Sequence, residues 1–501
     1  MDQDLGWWVR VALDGWQAGG GPRYQRIASG VARAIERRLV DADHRLPAER
    51  SLADALRVSR GTLVRAYDEL AEAGLVERRQ GAGTFVRPRP AWTHTPVENA
   101  ASALLRRRLA SGRPAGDGET IDLSLSVPAG VDHLPPVDGG VLPHDLEGHG
   151  LHPAGLPELR DALADHLTRW LRLPTTPDQL IVTSGAQHAL SLVAAALVSP
   201  GRTVITGCPT YPGLAGAVAV HRGRLVGVPV DALGVDAHAV RRAAGRAHSP
   251  LVYVDSAANG PTGAVLGASR RESLLGTVRR RGAVLVEDLA QAGLTLGDGG
   301  GRPPAPLAHG ERPATEDDRD PPAIPLAAGD DSVIAVGSLS KMFWAGLRIG
   351  WVRAPDPLRD YLLRMRSASD LAPGVPAQII AARLLTAADA AWRDGLRRAL
   401  RERRDLLLDL LARHLPAWRA EVPRAGSSVW VTLPVTESET FAHLAARYGV
   451  IVASGATACV DGRHHDGVRL SFAESHATLE AAVDRLTAAW EEHARRLATG
   501  R

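Results

Sequence analysis

Ile27, Val31, Ile35 and Leu39 recur at every fourth position, the spacing that lays one apolar stripe along a helix. Leu46-Pro47 breaks the stripe. Leu52, Ala53 and Leu56 resume it over a second short helix, and a third is predicted from Arg60 to Ala73, with Ser59 placed to cap it and Gly74 to close it. Two short apolar runs, Leu75-Val76 and Thr84-Phe85-Val86, flank the tip Arg78-Arg79-Gln80-Gly81-Ala82-Gly83 and read as a hairpin. Three helices and a hairpin over residues 21–87 make a winged helix-turn-helix pattern. Residues 88–118 hold Pro, Gly and Arg106-Arg107-Arg108 with little periodicity, and read as a linker with one short helix at Ala100 to Ala110.

From residue 119 to 501 the pattern changes. Short apolar runs (Leu180-Ile181-Val182, Thr203-Val204-Ile205, Leu251-Val252-Tyr253-Val254, Ala283-Val284-Leu285-Val286, Val333-Ile334-Ala335-Val336) alternate with helical stretches. That alternation predicts an α/β domain around a mainly parallel sheet. After Arg403, Leu406, Leu407, Leu410 and Leu411 mark a helix, and Val429-Trp430-Val431 and Val468-Arg469-Leu470 read as strands of a smaller lobe from about residue 375. The stretch Asp298 to Asp331, rich in Gly, Pro and acids, predicts a flexible surface insertion.

Composition narrows the class. A chain of 501 residues is too long for one core, and 45% hydrophobic with 23% charged residues is ordinary for globular protein. No apolar run reaches the roughly 18 residues of a membrane span, and Met1-Asp2-Gln3-Asp4 lacks a basic secretory n-region. Cys208 and Cys459, the only cysteines, make no disulfide framework or thiolate metal site legible, so no metal is expected and a reducing cytoplasmic setting is. Net charge is only +3, yet Gly21 to Pro90 carries 14 Arg against 9 Asp and Glu. Such an excess suits a polyanionic partner.

One residue stands apart. Lys341 is the only lysine; every other basic side chain among the 59 is arginine. A neutral amine can add to an aldehyde to form an imine, whereas arginine stays protonated at ordinary pH. Lys341 ends the run Gly337-Ser338-Leu339-Ser340-Lys341, and Arg348 follows seven residues later. Around it the chain supplies what pyridoxal phosphate chemistry asks for. Thr183-Ser184-Gly185-Ala186-Gln187 follows a strand and opens a helix, which aims amides and a dipole at an anion. Ser338, Ser340 and Arg348 add hydroxyls and a bidentate cation. Asp288, ending an apolar strand, can hold a proton on a pyridine nitrogen, while Glu287 beside it should face the other way. Tyr211 is a candidate for ring stacking and Arg469 for a substrate or effector carboxylate.

At the other end of the chain, Ser59, Arg60, Gly61 and Thr62 put short polar and basic residues at the start of a helix, as major-groove reading requires, and Arg50 is placed to clamp backbone. Leu46-Pro47-Ala48-Glu49-Arg50-Ser51-Leu52-Ala53, Val58-Ser59-Arg60-Gly61-Thr62, Ala66-Tyr67-Asp68-Glu69-Leu70 and Gly81-Ala82-Gly83-Thr84-Phe85-Val86 resemble the signature of GntR-type winged-helix repressors. By that resemblance Gln80, Gly81 and Gly83 would meet DNA through the wing. From Ile121 onward the motifs Ala154-Gly155-Leu156-Pro157-Glu158-Leu159-Arg160, Thr183-Ser184-Gly185-Ala186-Gln187, Gly260-Pro261-Thr262-Gly263, Gly337-Ser338-Leu339-Ser340-Lys341 and Arg469-Leu470-Ser471-Phe472-Ala473 resemble fold-type I aminotransferases of class I/II.

Together the two halves resemble a MocR-type regulator. The resemblance implies a homodimer that binds operator DNA and senses pyridoxal phosphate, or an amine or amino-acid adduct of it; the alternative is an active aminotransferase with an appended DNA-binding domain. Three departures favour sensing. Gly260 stands where the aminotransferase pattern has the Asn that contacts the ring hydroxyl, leaving Asn259 one place early; Leu289 to Leu294 lacks the expected tyrosine; and Gly150-Leu151-His152 lacks the tyrosine that reaches the partner's phosphate.

Overall fold

The computed structural model describes residues 5–14, 16–18, 23–36, 39–72, 75–79, 81–87, 120–128, 130–137, 140, 148–297 and 324–499. The chain divides into two compact units, Met1–Pro96 and Val97–Arg501.

In the first unit, α1 (Arg23–Glu36), α2 (Glu49–Leu56) and α3 (Arg60–Glu72) precede an antiparallel hairpin of β1 (Val76–Arg79) and β2 (Gly83–Val86), paired from Val76 opposite Val86 to Arg79 opposite Gly83. Ile27, Val31, Leu52, Leu56, Leu63, Tyr67 and Leu70 form one core, while Leu39 is exposed. β1 runs three residues further toward the tip than its apolar pair suggests, because ion pairs hold its arginines. Arg78 meets Glu49 at 3.1 Å and Asp68 at 2.9 Å; Arg79 meets Asp43 and Glu77, each at 2.6 Å. Short helical turns at Leu5–Trp7, Trp8–Ala12 and Trp16–Ala18 go unread in the sequence, and Trp8, Leu13 and Trp16 complete the core. Gly74, Gln80, the linker and its Ala100 to Ala110 helix lie outside the described residues.

The second unit opens with β3 (Ile121–Asp122) and α4 (Pro157–Trp170). There follow β4 (Leu180–Thr183), α5 (Ala186–Leu197), β5 (Thr203–Cys208), α6 (Pro212–Val220), β6 (Arg224–Asp231) and β7 (Gly234–Val235). Next come α7 (Ala237–Ala244), β8 (Leu251–Val254), α8 (Ala268–Arg281), β9 (Val284–Asp288), β10 (Ile334–Ser338), β11 (Gly350–Arg353) and α9 (Asp356–Arg366). The strands form one sheet in the order β4-β11-β10-β9-β8-β5-β6-β7, parallel except for β11 and β7.

Alternation within each strand explains why these runs are apolar at every position: both faces are covered. Val182, Ile205, Val252, Leu285 and Ala335 face α4, α7 and α8, whereas Ile181, Val204, Tyr253, Val286 and Val336 face α5, α6 and α9. The insertion reading is corrected at its end. Within residues 324–331 Leu326 and Ala327 are buried and their amides donate to buried Glu287 on β9, while Ile324 and Asp331 are exposed.

After α10 (Val375–Ala387) and α11 (Ala390–His414) comes the smaller lobe. β12 (Arg419–Ala420), β13 (Ser428–Thr432), α12 (Glu439–Arg447), β14 (Val450–Ile451), β15 (Ala453–Ser454), β16 (Gly467–Ser471) and α13 (His476–Thr499) build it. Its sheet order is β12-β13-β16-β15, and β14 pairs in parallel with β3. α11 begins 16 residues before Leu406, the first of the leucines that make it legible, and Asp389 caps it by accepting from the Trp392 amide at 2.8 Å. Among the described residues no helix is long and apolar enough to cross a membrane.

Candidate functional site

The second unit's chemistry gathers at one edge of its sheet. β4, β5, β8, β9 and β10 are parallel, so their C-terminal ends emerge together, and the antiparallel β11 starts there. This is the edge where open α/β sheets take ligands. Following those ends come Ser184-Gly185, Tyr211, Asp255, Asp288 and Lys341, with Arg348 just before β11.

Asp288 is buried and held from two sides. The Tyr253 hydroxyl donates to its Oδ2 at 2.5 Å and the Ala290 amide to its Oδ1 at 2.8 Å. Burial pushes its pKa above the usual range, opposed by the Tyr253 and Ala290 donors and by the positive charge of Lys341. Glu287 faces away, as its parity predicts. It accepts from the Ser256 hydroxyl, from Leu326 N at 2.7 Å and from Ala327 N at 2.9 Å, which makes it structural.

Lys341 Nζ donates to Ser126 O at 2.6 Å, and Arg469 Nη2 donates to Ser124 O, also at 2.6 Å. The segment 123–126 therefore ties the lysine to the arginine of β16. Its register is fixed by the Leu123 amide, which donates to Ile451 O, and by the Leu123 carbonyl, which accepts from Ser471 N.

The anion cradle lies at the start of α5. Gly185 caps the helix at φ +92°, and a Cβ there would sit 2.6 Å from Arg348 Nη2. Only glycine lets the guanidinium approach so closely. Arg348 Nη2 donates to Ser184 O at 2.8 Å, and the Ser338 and Ser340 hydroxyls lie 3.0 Å apart. Ala186 opens α5, and Gln187 Nε2 braces the Tyr211 loop by donating to Gly213 O at 3.2 Å.

Asn259 sits otherwise than a ring contact would require. Its Nδ2 donates to Pro209 O at 3.2 Å and to Asp255 Oδ1 at 3.1 Å, and its Oδ1 accepts from Thr262 N and Thr262 Oγ1. Both ends of the amide are thus engaged in local contacts. Tyr253 and Asp255 are missed in the sequence reading. Burial raises the Asp255 pKa to about 6, with the Asp288 charge adding to it. Strand parity carries the signal that could have found the tyrosine: Tyr253 pairs with Val286, two residues before Asp288 and on the same face.

In the first unit Ser59 caps α3. Its hydroxyl accepts from the Thr62 amide at 3.2 Å and lies 2.8 Å from Thr62 Oγ1. Arg50, Arg60, Gly61, Gly81 and Gly83 are exposed. Neither Arg50 nor Arg60 is in an ion pair among the described residues, unlike Arg78 and Arg79, whose charges are taken by acids.

Fold and site define a winged-helix DNA-binding unit joined to a fold-type I aminotransferase unit. The pattern of bacterial regulatory proteins of the gntR family matches residues 23–86, and that of aminotransferase class I and II matches residues 147–486. The chain belongs to the MocR-type transcriptional regulators, the GntR subgroup with a class I and II aminotransferase domain. It is 29% identical over 483 residues to the HTH-type transcriptional regulator YisV of Bacillus subtilis, covering 90% of this chain and 92% of that one. It is 28% identical over 392 residues to the HTH-type pyridoxine biosynthesis transcriptional regulator PdxR of Corynebacterium glutamicum, covering 77% and 78%. Among solved structures, the α-aminoadipate aminotransferase LysN of Thermus thermophilus superposes with a TM-score of 0.64 at 24% identity, covering 79% of this chain and 95% of that one. That last likeness is one of fold.

Proposed function

We propose that the aminotransferase unit of this DNA-binding transcriptional regulator holds pyridoxal phosphate on Lys341 and changes operator affinity when the cofactor, or an amine or amino acid joined to it, occupies the site. The observation that carries this reading is that the chain's only lysine, buried Asp288, the Gly185 turn with Arg348 against it and the Ser338–Ser340 hydroxyl pair all gather at the C-terminal ends of the parallel strands. The residues fit the group. Asp288, pre-held by Tyr253 and the Ala290 amide, keeps a proton on the ring nitrogen; Ser184, Gly185, Ala186, Ser338, Ser340 and Arg348 hold the phosphate. Tyr211, in the loop braced by Gln187, would pack against the ring. Bound there, the cofactor supplies an aldehyde that condenses with amines and a ring that draws off electrons.

Arg469 receives an effector carboxylate, since its guanidinium and Lys341 flank the same short segment. Asn259 acts one step removed, by holding Asp255 and the Pro209 turn that leads to Tyr211. In the first unit Arg50, Ser59, Arg60, Gly61 and Thr62 meet operator DNA through α3, and Gln80, Gly81 and Gly83 through the wing. Two chains read two half-sites as a dimer. A large shift between DNA-binding states requires the ligand to favour one arrangement by about 5 kcal/mol.

The test is operator affinity of the wild-type chain and of Lys341→Ala, each with and without added pyridoxal phosphate. The wild type responds and the variant does not. An equal response in both removes the amine from the mechanism. Sustained multiple turnovers of amino acids with an oxo-acid acceptor, at ordinary enzyme rates, would replace the regulator-only reading with the enzymatic one.

A further inference from the structure

Outside the cofactor cradle, four metal-binding side chains meet where β5 runs out beside the smaller lobe. Cys208 ends β5, and Cys459, Asp461 and His464 come from the loop between the Gly455–Thr457 turn and β16. The sequence makes no thiolate site legible, yet these two cysteines, 251 residues apart, bring their sulfurs to 3.5 Å from each other. Cys208 Sγ is 3.1 Å from Asp461 Oδ1 and 3.5 Å from His464 Nδ1. Cys459 Sγ is 3.5 Å from the same carboxylate oxygen and 3.9 Å from the same ring nitrogen. All four donor atoms lie within 4.8 Å of one another.

A tetrahedral Zn²⁺ with bonds of about 2.3 Å to sulfur and about 2.0–2.2 Å to nitrogen or oxygen needs donor atoms roughly 3.5–3.8 Å apart. The observed separations bracket that range, so a zinc ion fits with small side-chain adjustments. A disulfide needs its sulfurs at about 2.05 Å, a much larger shift from 3.5 Å.

Backbone amides reach both sulfurs, although burial pushes the metal-free Cys208 thiol up to about 12. The Val460 amide donates to Cys208 Sγ at 3.2 Å and the His464 amide to Cys459 Sγ at 3.3 Å, contacts that stabilise sulfur carrying negative charge. Arg463 Nε donates to Asp461 Oδ2 at 2.7 Å, leaving Oδ1 turned toward the sulfurs. Two thiolates, one carboxylate and a neutral imidazole around Zn²⁺ carry a net charge of −1, which the Arg463 guanidinium offsets. The loop is also shaped for this closure. A Cβ on Gly455 would lie 1.9 Å from His464 O, so only glycine lets the histidine fold back over the turn.

We propose that Cys208, Cys459, Asp461 and His464 form a structural zinc site that clamps the smaller lobe to the C-terminal end of β5. The clamp fixes the segment leading to Tyr211. Thr210 N donates to Ala458 O at 2.9 Å, one residue before Cys459, so metal binding and the position of Tyr211 share one connection. With four protein ligands the site is closed, as structural zinc sites are.

The experiment uses the full chain, purified without chelators, stripped, and titrated with Zn²⁺ against a chromophoric chelator, with metal content read by mass spectrometry. One zinc ion per chain is expected, and Co²⁺ in its place should give the intense visible bands of tetrahedral thiolate coordination. Cys459→Ser and His464→Ala should each weaken zinc binding at least ~10-fold, and Arg463→Ala, which removes no ligand, by about 10-fold. Because the wild-type titration requires no variant, misfolding of a substituted chain does not blunt the test. Absence of stoichiometric zinc, a Cys208–Cys459 disulfide in the reduced-buffer protein, or unchanged affinity in both ligand variants overturns the proposal.

Discussion

The Tyr253 hydroxyl donates to Asp288 Oδ2 at 2.5 Å across two neighbouring parallel strands. Register makes this possible, because Tyr253 stands opposite Val286 and Asp288 is the next residue on that face. The phenol is buried among apolar side chains, so Asp288 is its way of satisfying a polar group taken out of water.

Tyr253→Phe removes that donor while keeping the ring packed. A hydrogen bond to a charged group contributes about 1.5–3 kcal/mol, so the variant should hold pyridoxal phosphate roughly 10–100-fold more weakly. Asp288 is less readily ionised without the phenol, which weakens its hold on a protonated ring nitrogen. Equilibrium titration followed by cofactor absorbance checks this; unchanged affinity with unchanged melting would remove Tyr253 from the site.

Asp255 lies near Asp288, and burial raises its pKa from 3.8 to about 6. Between those values the folded chain keeps a proton that the unfolded chain has released. Stability therefore falls as pH rises from about 4 to 6, by on the order of 3 kcal/mol for this group alone. Thermal unfolding of the wild type against Asp255→Asn across that window tests the sign: the wild type should lose stability relative to the variant as pH increases. A gap that does not change with pH would show that Asp255 titrates normally.

How much could be read without coordinates depended on whether a signal was local. The runs that became β4, β5, β8, β9 and β10 were legible because burial on both faces leaves no polar position to interrupt them. β6 was not legible, since Gly227 and Pro229 interrupt a strand, second from the sheet's edge, that is mostly only partly covered. Ser59 was found because a cap bonds within three residues. Ser126 was not, because it contributes a carbonyl to Lys341 from 215 residues away, and any residue has a carbonyl. The approach of Cys208 to Cys459 was not legible for a related reason: their spacing in sequence says nothing until β5 and the loop before β16 are brought together. The N-terminal tryptophans of the first unit were overlooked because three short irregular turns have no period to detect.

Ser59 and Arg60 can be separated experimentally, although they are neighbours. Ser59→Ala removes the cap of α3 and should destabilise the first unit by about 1 kcal/mol. Arg60→Ala leaves the cap and every ion pair described in that unit in place, so its melting should hardly change. Its operator binding should weaken by about 1–3 kcal/mol, with relaxed preference at a guanine. Calorimetry and DNA titration at one fixed salt concentration check the pair. Loss of stability in Arg60→Ala with specificity intact would reassign that arginine to the fold.

Gly185→Ala tests the anion cradle through backbone geometry. At φ +92° and ψ 166° a β-carbon is strained, at a cost of about 1–3 kcal/mol, and it would lie 2.6 Å from Arg348 Nη2. The guanidinium is the end of a flexible chain, so it should swing away, giving up its 2.8 Å bond to Ser184 O and leaving α5 in place. The loss should then fall on the phosphate rather than on the ring. Pyridoxal phosphate affinity should drop about 10-fold, in line with one charge-assisted hydrogen bond, while affinity for pyridoxal, which has no phosphate, stays the same. An equal loss for both ligands would mean that the substitution disturbs Lys341 or Asp288 instead, and that Arg348 does not act on the phosphate.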